Sequence, residues 1–125
     1  MDTKFANRFA EDWISAWNKG DLSEVLRHYT DDFEMSSPYI QKVFGEPSGK
    51  LVGKVRVRAY WQMMLSKYGT PQMELIAVFA GAGSIAIEYR NRGRKAVEIF
   101  FFDPSGLVNM AAAHYLDEDN ARKHS

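Results

Sequence analysis

One carboxyl group of this sequence is predicted to lie in an apolar setting. The last two strand-like segments of the chain are joined by the turn Asp103-Pro104-Ser105-Gly106. If Phe102 pairs with Leu107 across this turn, Glu98 points to the same face as aromatic and alanine side chains. The residues that share this face are Phe100, Phe102, Ala111, Ala113 and Tyr115. A carboxylate in such a place must find hydrogen-bond donors or keep its proton, so we predict a raised pKa for Glu98.

Two explanations of Glu98 stay open at this level. In the structural one, the carboxylate lies near the mouth of the sheet and pairs with an arginine such as Arg94. Ion pairs of this kind also perturb titration without any role in chemistry. In the functional one, Glu98 is a neutral acid or proton carrier inside a ligand pocket. Aromatic side chains at helical spacing can belong to the core or line such a pocket, and here they are Trp13, Trp17, Tyr60 and Trp61.

Helical periodicity predicts the elements that carry these aromatics. Four aromatic residues at four-residue spacing predict a helix over residues 3–19, which Gly20 ends. A capping box that begins at Asp21 predicts a short second helix through Val25, Leu26 and Tyr29. A third helix is predicted over residues 54–68.

Alternating and β-branched patterns predict the strands. A short strand over residues 33–37 should follow a turn at residues 30–32 and end at Pro38, and residues 39–53 form a loop. Four later strands are separated by short turns, which is typical of an antiparallel meander. These strands are predicted over residues 73–80, 84–91, 95–102 and 107–116. The pattern indicates an α+β domain with three N-terminal helices packed on a strongly curved, mainly antiparallel sheet.

The opposite face of the last hairpin is also apolar. A sheet with one side in water alternates apolar with polar residues, and this hairpin does not. The predicted outer face carries Val97, Ile99, Phe101, Val108, Met110, Ala112 and His114. Because no helix remains to cover it, we predict a homodimer that packs sheet on sheet, with His114 at the interface or surface.

Composition excludes several classes of function. The chain has 125 residues, which fits a single domain over 1–125, and its 16 basic and 16 acidic residues cancel. This balance does not favour nucleic acid or membrane surfaces as partners. Without cysteine, an apolar leader or metal-ligand spacing, we expect a cytoplasmic protein that has no metal site and no cofactor.

Several stretches resemble the ketosteroid isomerases and the SnoaL-like polyketide cyclases of the nuclear transport factor two-like superfamily. The resemblance covers nearly the whole chain. Its carriers are Trp-Ile-Ser-Ala-Trp-Asn-Lys-Gly-Asp-Leu at 13–22, Tyr-Thr-Asp-Asp-Phe-Glu-Met-Ser-Ser-Pro at 29–38, Gly53, Glu88-Tyr89, Gly93-Arg94-Lys95, Phe102-Asp103 and Gly106. The resemblance implies a cystatin-like cone with an apolar cavity.

The resemblance also assigns roles to positions. It places the isomerases' oxyanion-hole acid at Glu98, their tyrosine at Trp13 and their catalytic base at Ser37. An indole N–H can donate a hydrogen bond, but serine cannot take a proton from carbon near neutral pH. The isomerase's base and tyrosine are therefore missing. We predict Glu98 as the acid, Trp13 and Tyr115 as donors, and a ligand-binding set of Trp17, Ser37, Tyr39, Trp61, Tyr89, Phe100, Ala111 and Ala113.

Three functions remain open on this basis. The first is binding of a small apolar molecule with proton-transfer chemistry, isomerase-like or cyclase-like, on a carbonyl compound. The second is a pocket that binds such a ligand without chemistry. The third is a dimeric association module in which the sheet face is the functional surface. One fold can carry any of these activities, so the resemblance does not choose among them.

Overall fold

A computed structural model describes residues 1–117, which contain three α-helices. Helix α1 (Thr3–Asn18) begins after Asp2, whose carboxylate accepts a hydrogen bond from the Lys4 N–H. Helix α2 is Leu22–Leu26, and helix α3 is Lys54–Tyr68. The predicted first and third helices are confirmed. None of the helices in residues 1–117 is long and apolar enough to span a membrane.

The second helix and the first strand differ from their predictions. Asp21 caps α2 by accepting from the Glu24 N–H at 3.1 Å, as the capping box predicts. The helix nevertheless ends at Leu26, and strand β1 (Tyr29–Ser36) begins three residues later. The predicted turn at residues 30–32 therefore lies inside a strand. Tyr29 is buried in the core and pairs with Val108 of the last strand instead of extending the helix.

The described part of the chain forms one six-stranded sheet. After β1 come β2 (Lys50–Val52), β3 (Met73–Ala80), β4 (Ser84–Asn91), β5 (Arg94–Phe102) and β6 (Val108–Tyr115). The spatial order is β2-β1-β6-β5-β4-β3. Strands β3 to β6 form the predicted antiparallel meander, whereas β1 pairs with β6 in parallel. The α+β class is confirmed, and local pattern did not predict the parallel pair.

The segment after β1 is more ordered than the loop predicted over residues 39–53. Pro38 and Tyr39 begin a short helix that widens into a π-helical turn over Ile40–Phe44, and β2 follows. Ile40 is fully buried and anchors the turn in the core. The N–H of Ser37 donates to the carbonyl of Gly49 at 3.0 Å, which closes the segment on itself. This closure holds Ser37 and Tyr39 beside the open end of the sheet.

The hairpin of β5 and β6 has a different register from the predicted one. Glu98 lies opposite Ala113 and Phe100 opposite Ala111, a shift of two residues that leaves their faces unchanged. A β-bulge at Asn109 changes the faces of its neighbours, because Phe101 pairs with Met110 but Phe102 pairs with Val108. Val108 is consequently fully buried in the core. The prediction that Val108 belongs to the outer face is wrong.

The rest of the predicted outer face keeps its place. Phe101 is 40% exposed and Met110 39% exposed. Pairing places Phe79, Ala86, Ile99 and Ala112 in one row across four strands, and Phe79 is 57% exposed. The other face holds the core, where Phe9 and Trp13 of α1 pack edge-on against Phe100 at 4.9 and 5.1 Å.

Helix α3 offers a matched test of this packing. Val57 is fully buried, whereas Val55 on the same helix is 86% exposed. We expect Val57→Ala to lower the free energy of unfolding by about 2 kcal/mol, because two methyl groups leave the core. Val55→Ala should change it by less than about 0.5 kcal/mol. Urea unfolding followed by tryptophan fluorescence measures both, and equal effects would contradict the assigned orientation of α3.

Candidate functional site

A cavity of about 250 Å³ opens between the inner face of the sheet, α1, α3 and the segment after β1. Its described lining is Trp13, Trp17, Met35, Ser37, Tyr39, Tyr60, Trp61, Met64, Leu65, Tyr68, Gly69, Pro71, Met73, Tyr89, Asn91, Arg92, Arg94, Ala96, Glu98 and Tyr115. The volume is slightly below that of ordinary small-molecule pockets. Aromatic and apolar side chains form most of the wall, and its polar groups come from tyrosine hydroxyls and from Ser37, Asn91, Arg92, Arg94 and Glu98.

Glu98 is the one acid among the described lining residues. It is only 4% exposed, and no cationic side chain in residues 1–117 forms an ion pair with it. Burial raises its pKa to about 8, and a hydrogen bond with Tyr89 partly offsets that rise. The carboxyl group is therefore mainly protonated at neutral pH. The proposed pairing with Arg94 is not found, because Arg94 donates to the Tyr39 hydroxyl instead.

Tyrosine hydroxyls connect Glu98 with the mouth of the cavity. Tyr89 interacts with Glu98 and with Tyr115, and Tyr115 interacts with Ser37. The Ser37 hydroxyl also accepts from the backbone N–H of Tyr39 at 3.2 Å and from the Tyr60 hydroxyl at 3.5 Å. Burial raises the pKa of Tyr89 and Tyr115 above the usual tyrosine value, and that of Tyr60 to about 12. All three stay protonated at physiological pH and can donate.

The two tryptophans of α1 differ in the surroundings of their indole N–H groups. The Trp13 indole N–H donates to the Tyr29 hydroxyl at 2.9 Å, so it is not free to bind a ligand. The prediction that Trp13 donates to a ligand is therefore wrong, because the buried Tyr29 hydroxyl already accepts from its N–H. Trp17 also contributes to the cavity wall, while its N–H is a buried donor without a hydrogen-bond partner in the described residues.

Most predicted site residues line the cavity, but three do not. Trp17, Ser37, Tyr39, Trp61, Tyr89, Glu98 and Tyr115 surround it, as does the ring of Trp13. Phe100, Ala111 and Ala113 share the inner face but are buried deeper in the core and do not line it. The prediction that these three residues bind a ligand is therefore wrong. They belong to the core, because aromatic rings of α1 cover this part of the sheet.

Several lining residues were not predicted as site residues. Met64, Leu65 and Tyr68 follow Tyr60 and Trp61 along α3, and helical periodicity could have placed them on the same face. Arg92 and Asn91 lie at the tip of the β4–β5 hairpin, and no local pattern aims a hairpin tip at a cavity. His114 is exposed opposite Val97 and does not line the cavity. No group of three or more acidic or histidine side chains in the described residues could hold a metal ion.

The comparison with known families decides the membership of this chain. The SnoaL-like domain family matches residues 10–119. This chain belongs to the SnoaL-like domain family. The sequence stretches that resemble the superfamily predicted this membership, and the family match confirms it. No curated protein matches the chain.

Solved structures resemble this SnoaL-like domain closely in fold. A SnoaL-like protein of unknown function from Burkholderia thailandensis E264 is 48% identical over 93% of this chain and 98% of that chain, with a TM-score of 0.89. A protein of unknown function with a cystatin-like fold from Methylobium petroleophilum PM1 is 16% identical, covers 94% and 79% of the two chains and has a TM-score of 0.73.

A third similar structure has a described role. It is SalBIII, an epoxide hydrolase/cyclase-like enzyme with a role in pyran ring formation in the polyether salinomycin. It is 16% identical, covers 94% of this chain and 95% of its own, and has a TM-score of 0.73. At this identity the likeness shows the fold alone. The predicted cystatin-like architecture of the SnoaL-like domain is confirmed by these structures.

The buried acid should make the stability of the SnoaL-like domain depend on pH. The folded protein holds the Glu98 proton up to about pH 8, whereas the unfolded chain releases it near 4.5. Rising pH between these values therefore favours unfolding. We expect the free energy of unfolding to fall more steeply in the wild type than in Glu98→Gln, by about 1.4 kcal/mol per pH unit. Above pH 8 the two slopes should become equal.

Urea titrations at a series of pH values measure this difference. Glu74→Gln is the matched control, because Glu74 is exposed on β3 and does not line the cavity. The control should follow the wild type at every pH. Identical pH profiles for the wild type and Glu98→Gln would show that the Glu98 carboxyl does not stay protonated in the folded state.

Proposed function

We propose that this SnoaL-like domain binds a small, mainly apolar molecule that carries a carbonyl group, and that protonated Glu98 donates a hydrogen bond to the carbonyl oxygen. The observation that carries the proposal is a carboxyl group that is 4% exposed, lines an apolar cavity and has no ion pair within residues 1–117. Buried polar groups in proteins are normally satisfied. Tyr89 already forms a hydrogen bond with Glu98, and a ligand carbonyl oxygen would be a further acceptor for the neutral acid inside the cavity.

The electrostatics of the cavity favour such an interaction. With a pKa of about 8, protonated Glu98 exceeds the ionised form about tenfold at pH 7. A hydrogen bond from a neutral acid to a carbonyl oxygen is strongest where water is excluded, and it strengthens further as negative charge develops on that oxygen.

The chemistry that this geometry supports is polarisation of an oxygen rather than removal of a proton from carbon. Ser37, at the position where the resemblance implies a base, is buried, and its hydroxyl accepts hydrogen bonds from Tyr39 and Tyr60. A serine hydroxyl is too weak a base for proton abstraction from carbon near pH 7. The proposal is therefore a ligand pocket with a polarising acid, without the isomerase reaction.

The pH dependence of the affinity for a neutral ketone tests the role of Glu98. We expect 4-phenylbutan-2-one to quench the cavity tryptophans of the wild type on binding. Its affinity should be constant below pH 7 and fall by up to about tenfold per pH unit above pH 8, because ionised Glu98 cannot donate and repels the carbonyl oxygen. The raised pKa values of Tyr60, Tyr89 and Tyr115 keep these hydroxyls from titrating in this interval.

Two variants test whether Glu98 causes the pH dependence of ketone binding. Glu98→Gln keeps a donor at every pH, so it should bind the ketone with a flat profile, whereas Glu74→Gln should reproduce the wild type. A flat wild-type profile, or no binding of the ketone, would contradict the proposal. Deuterium exchange at the carbon beside the carbonyl, followed by NMR in D₂O, should not be accelerated by the protein. Acceleration that Glu98→Gln abolishes would contradict this part of the proposal, because it would show that the pocket catalyses proton removal from carbon with the help of Glu98.

A second proposal concerns the outer face of the sheet. Phe79, Phe101 and Met110 are exposed there, and Ile99 and Ala112 lie between them in the pairing. Contiguous apolar surface of this kind marks association sites. We propose that two copies of the chain pack through this face, which excludes Val108 because its side chain points into the core.

Sedimentation velocity tests the association directly. The wild type should sediment as a dimer at micromolar concentration. Phe101→Glu should convert it to a monomer, because an unpaired carboxylate would be buried in the interface. Val55→Glu, on the exposed side of α3, should leave the dimer intact. A wild type that sediments as a monomer would rule out this association.

A further inference from the structure

Two arginines project from one hairpin tip into the lining of the cavity. Arg92 and Gly93 form the two-residue turn between β4 and β5, and Arg94 begins the next strand. Both turn residues have positive φ, 51° at Arg92 and 85° at Gly93. Turns of this type favour asparagine, aspartate or glycine at the first position, and a long side chain there is strained. Backbone strain of this kind is frequent at binding sites.

Each guanidinium is held in place by neighbours that leave part of its donor fork free. Arg92 donates to the carbonyl of Thr70 at 2.7 Å. Arg94 donates to the Tyr39 hydroxyl, and its guanidinium carbon lies 5.7 Å from the Tyr39 ring centre and 5.1 Å from that of Tyr115. A guanidinium carries five N–H donors, so one such bond leaves a pair able to grip a planar anion.

The described lining of the cavity contains two cationic side chains, Arg92 and Arg94, and one acid. Neither Arg92 nor Arg94 forms an ion pair in residues 1–117. The one acid of the described lining is Glu98, which lies four residues further along β5 and is buried. The cavity thus has a cationic mouth, an apolar wall and a neutral acid inside. These three zones together define what kind of molecule fits.

We propose that the ligand is an oxo acid whose carboxylate is held at the mouth by Arg94, with Arg92 adding positive charge, while its carbonyl group reaches Glu98. This inference rests on the proposed function, since it adds an anionic group to the carbonyl compound already argued for. Arg94 and Glu98 are four residues apart on one strand, so their Cα atoms are about 13 Å apart. The carboxylate and the carbonyl of the ligand are consequently separated by several bonds of apolar framework.

A charged ligand and its neutral twin test the inference. The probes are 4-oxo-4-phenylbutanoate and 4-oxo-4-phenylbutanamide, titrated at pH 6.5, where a carboxylic acid of ordinary pKa is ionised. We expect the wild type to bind the acid at least about tenfold more tightly than the amide, because the fork of Arg94 recognises carboxylate with two charge-assisted hydrogen bonds. Calorimetry or tryptophan quenching measures both affinities.

Three variants test whether Arg94 causes the preference for the acid over the amide. Arg94→Gln should reduce the preference for the acid over the amide below about threefold. Arg94→Lys keeps the charge but loses the planar fork, so its preference should be intermediate. Arg8→Gln removes an exposed charge of α1 that does not line the cavity, and it should keep the full preference.

The outcomes separate this inference from the one on which it rests. Equal affinity of the wild type for the acid and the amide would overturn the oxo acid assignment and leave ketone binding standing. A preference for the acid that survives in Arg94→Gln would also overturn it. If neither probe nor 4-phenylbutan-2-one binds, both the oxo acid and the carbonyl pocket are refuted.

Discussion

The desolvated carboxyl group of Glu98 is the constraint on which the site depends. The strand alternation that buries Phe100 also buries Glu98, which is 4% exposed and has no cationic partner in the described residues. Water can no longer stabilise its charge, so the pKa rises to about 8 and the proton stays in place. Burial of this polar group in the core lowers the stability of the fold. The same burial leaves the cavity with an acid that can donate a hydrogen bond near neutral pH.

The surrounding rings give this acid a defined environment. Trp13 packs edge-on against Tyr89 at 5.5 Å, and its N–H is held by Tyr29. The Tyr89 and Tyr115 hydroxyls then lead from Glu98 towards the mouth of the cavity. Core and pocket are thus built from the same side chains, since one edge of a ring can pack while its polar tip meets the cavity. Residues that stabilise the fold also position the donors.

The two ends of the cavity differ in electrostatic character. The inner end is a neutral acid among aromatic rings, whereas the mouth carries Arg92 and Arg94. Arg94 lies over the rings of Tyr39 and Tyr115, which favour a cation at their faces. The outer side of the sheet is separate from this site and presents Phe79, Phe101 and Met110 to its surroundings. The same alternation along β5 therefore supplies both a pocket lining and a candidate contact surface.

The sequence by itself determined the elements governed by local periodicity: α1, α3, the four-stranded meander and the inward direction of Glu98. Side-chain alternation has a fixed period, so even a register error of two residues preserved the faces. Only the tertiary structure decided the rest. The bulge at Asn109 buried Val108, and Arg94 bonded to Tyr39 rather than Glu98. The predicted turn residues 30–32 became part of β1, between the two stretches of that strand that pair with β6. Each depends on contacts between residues distant in sequence, which no local pattern encodes.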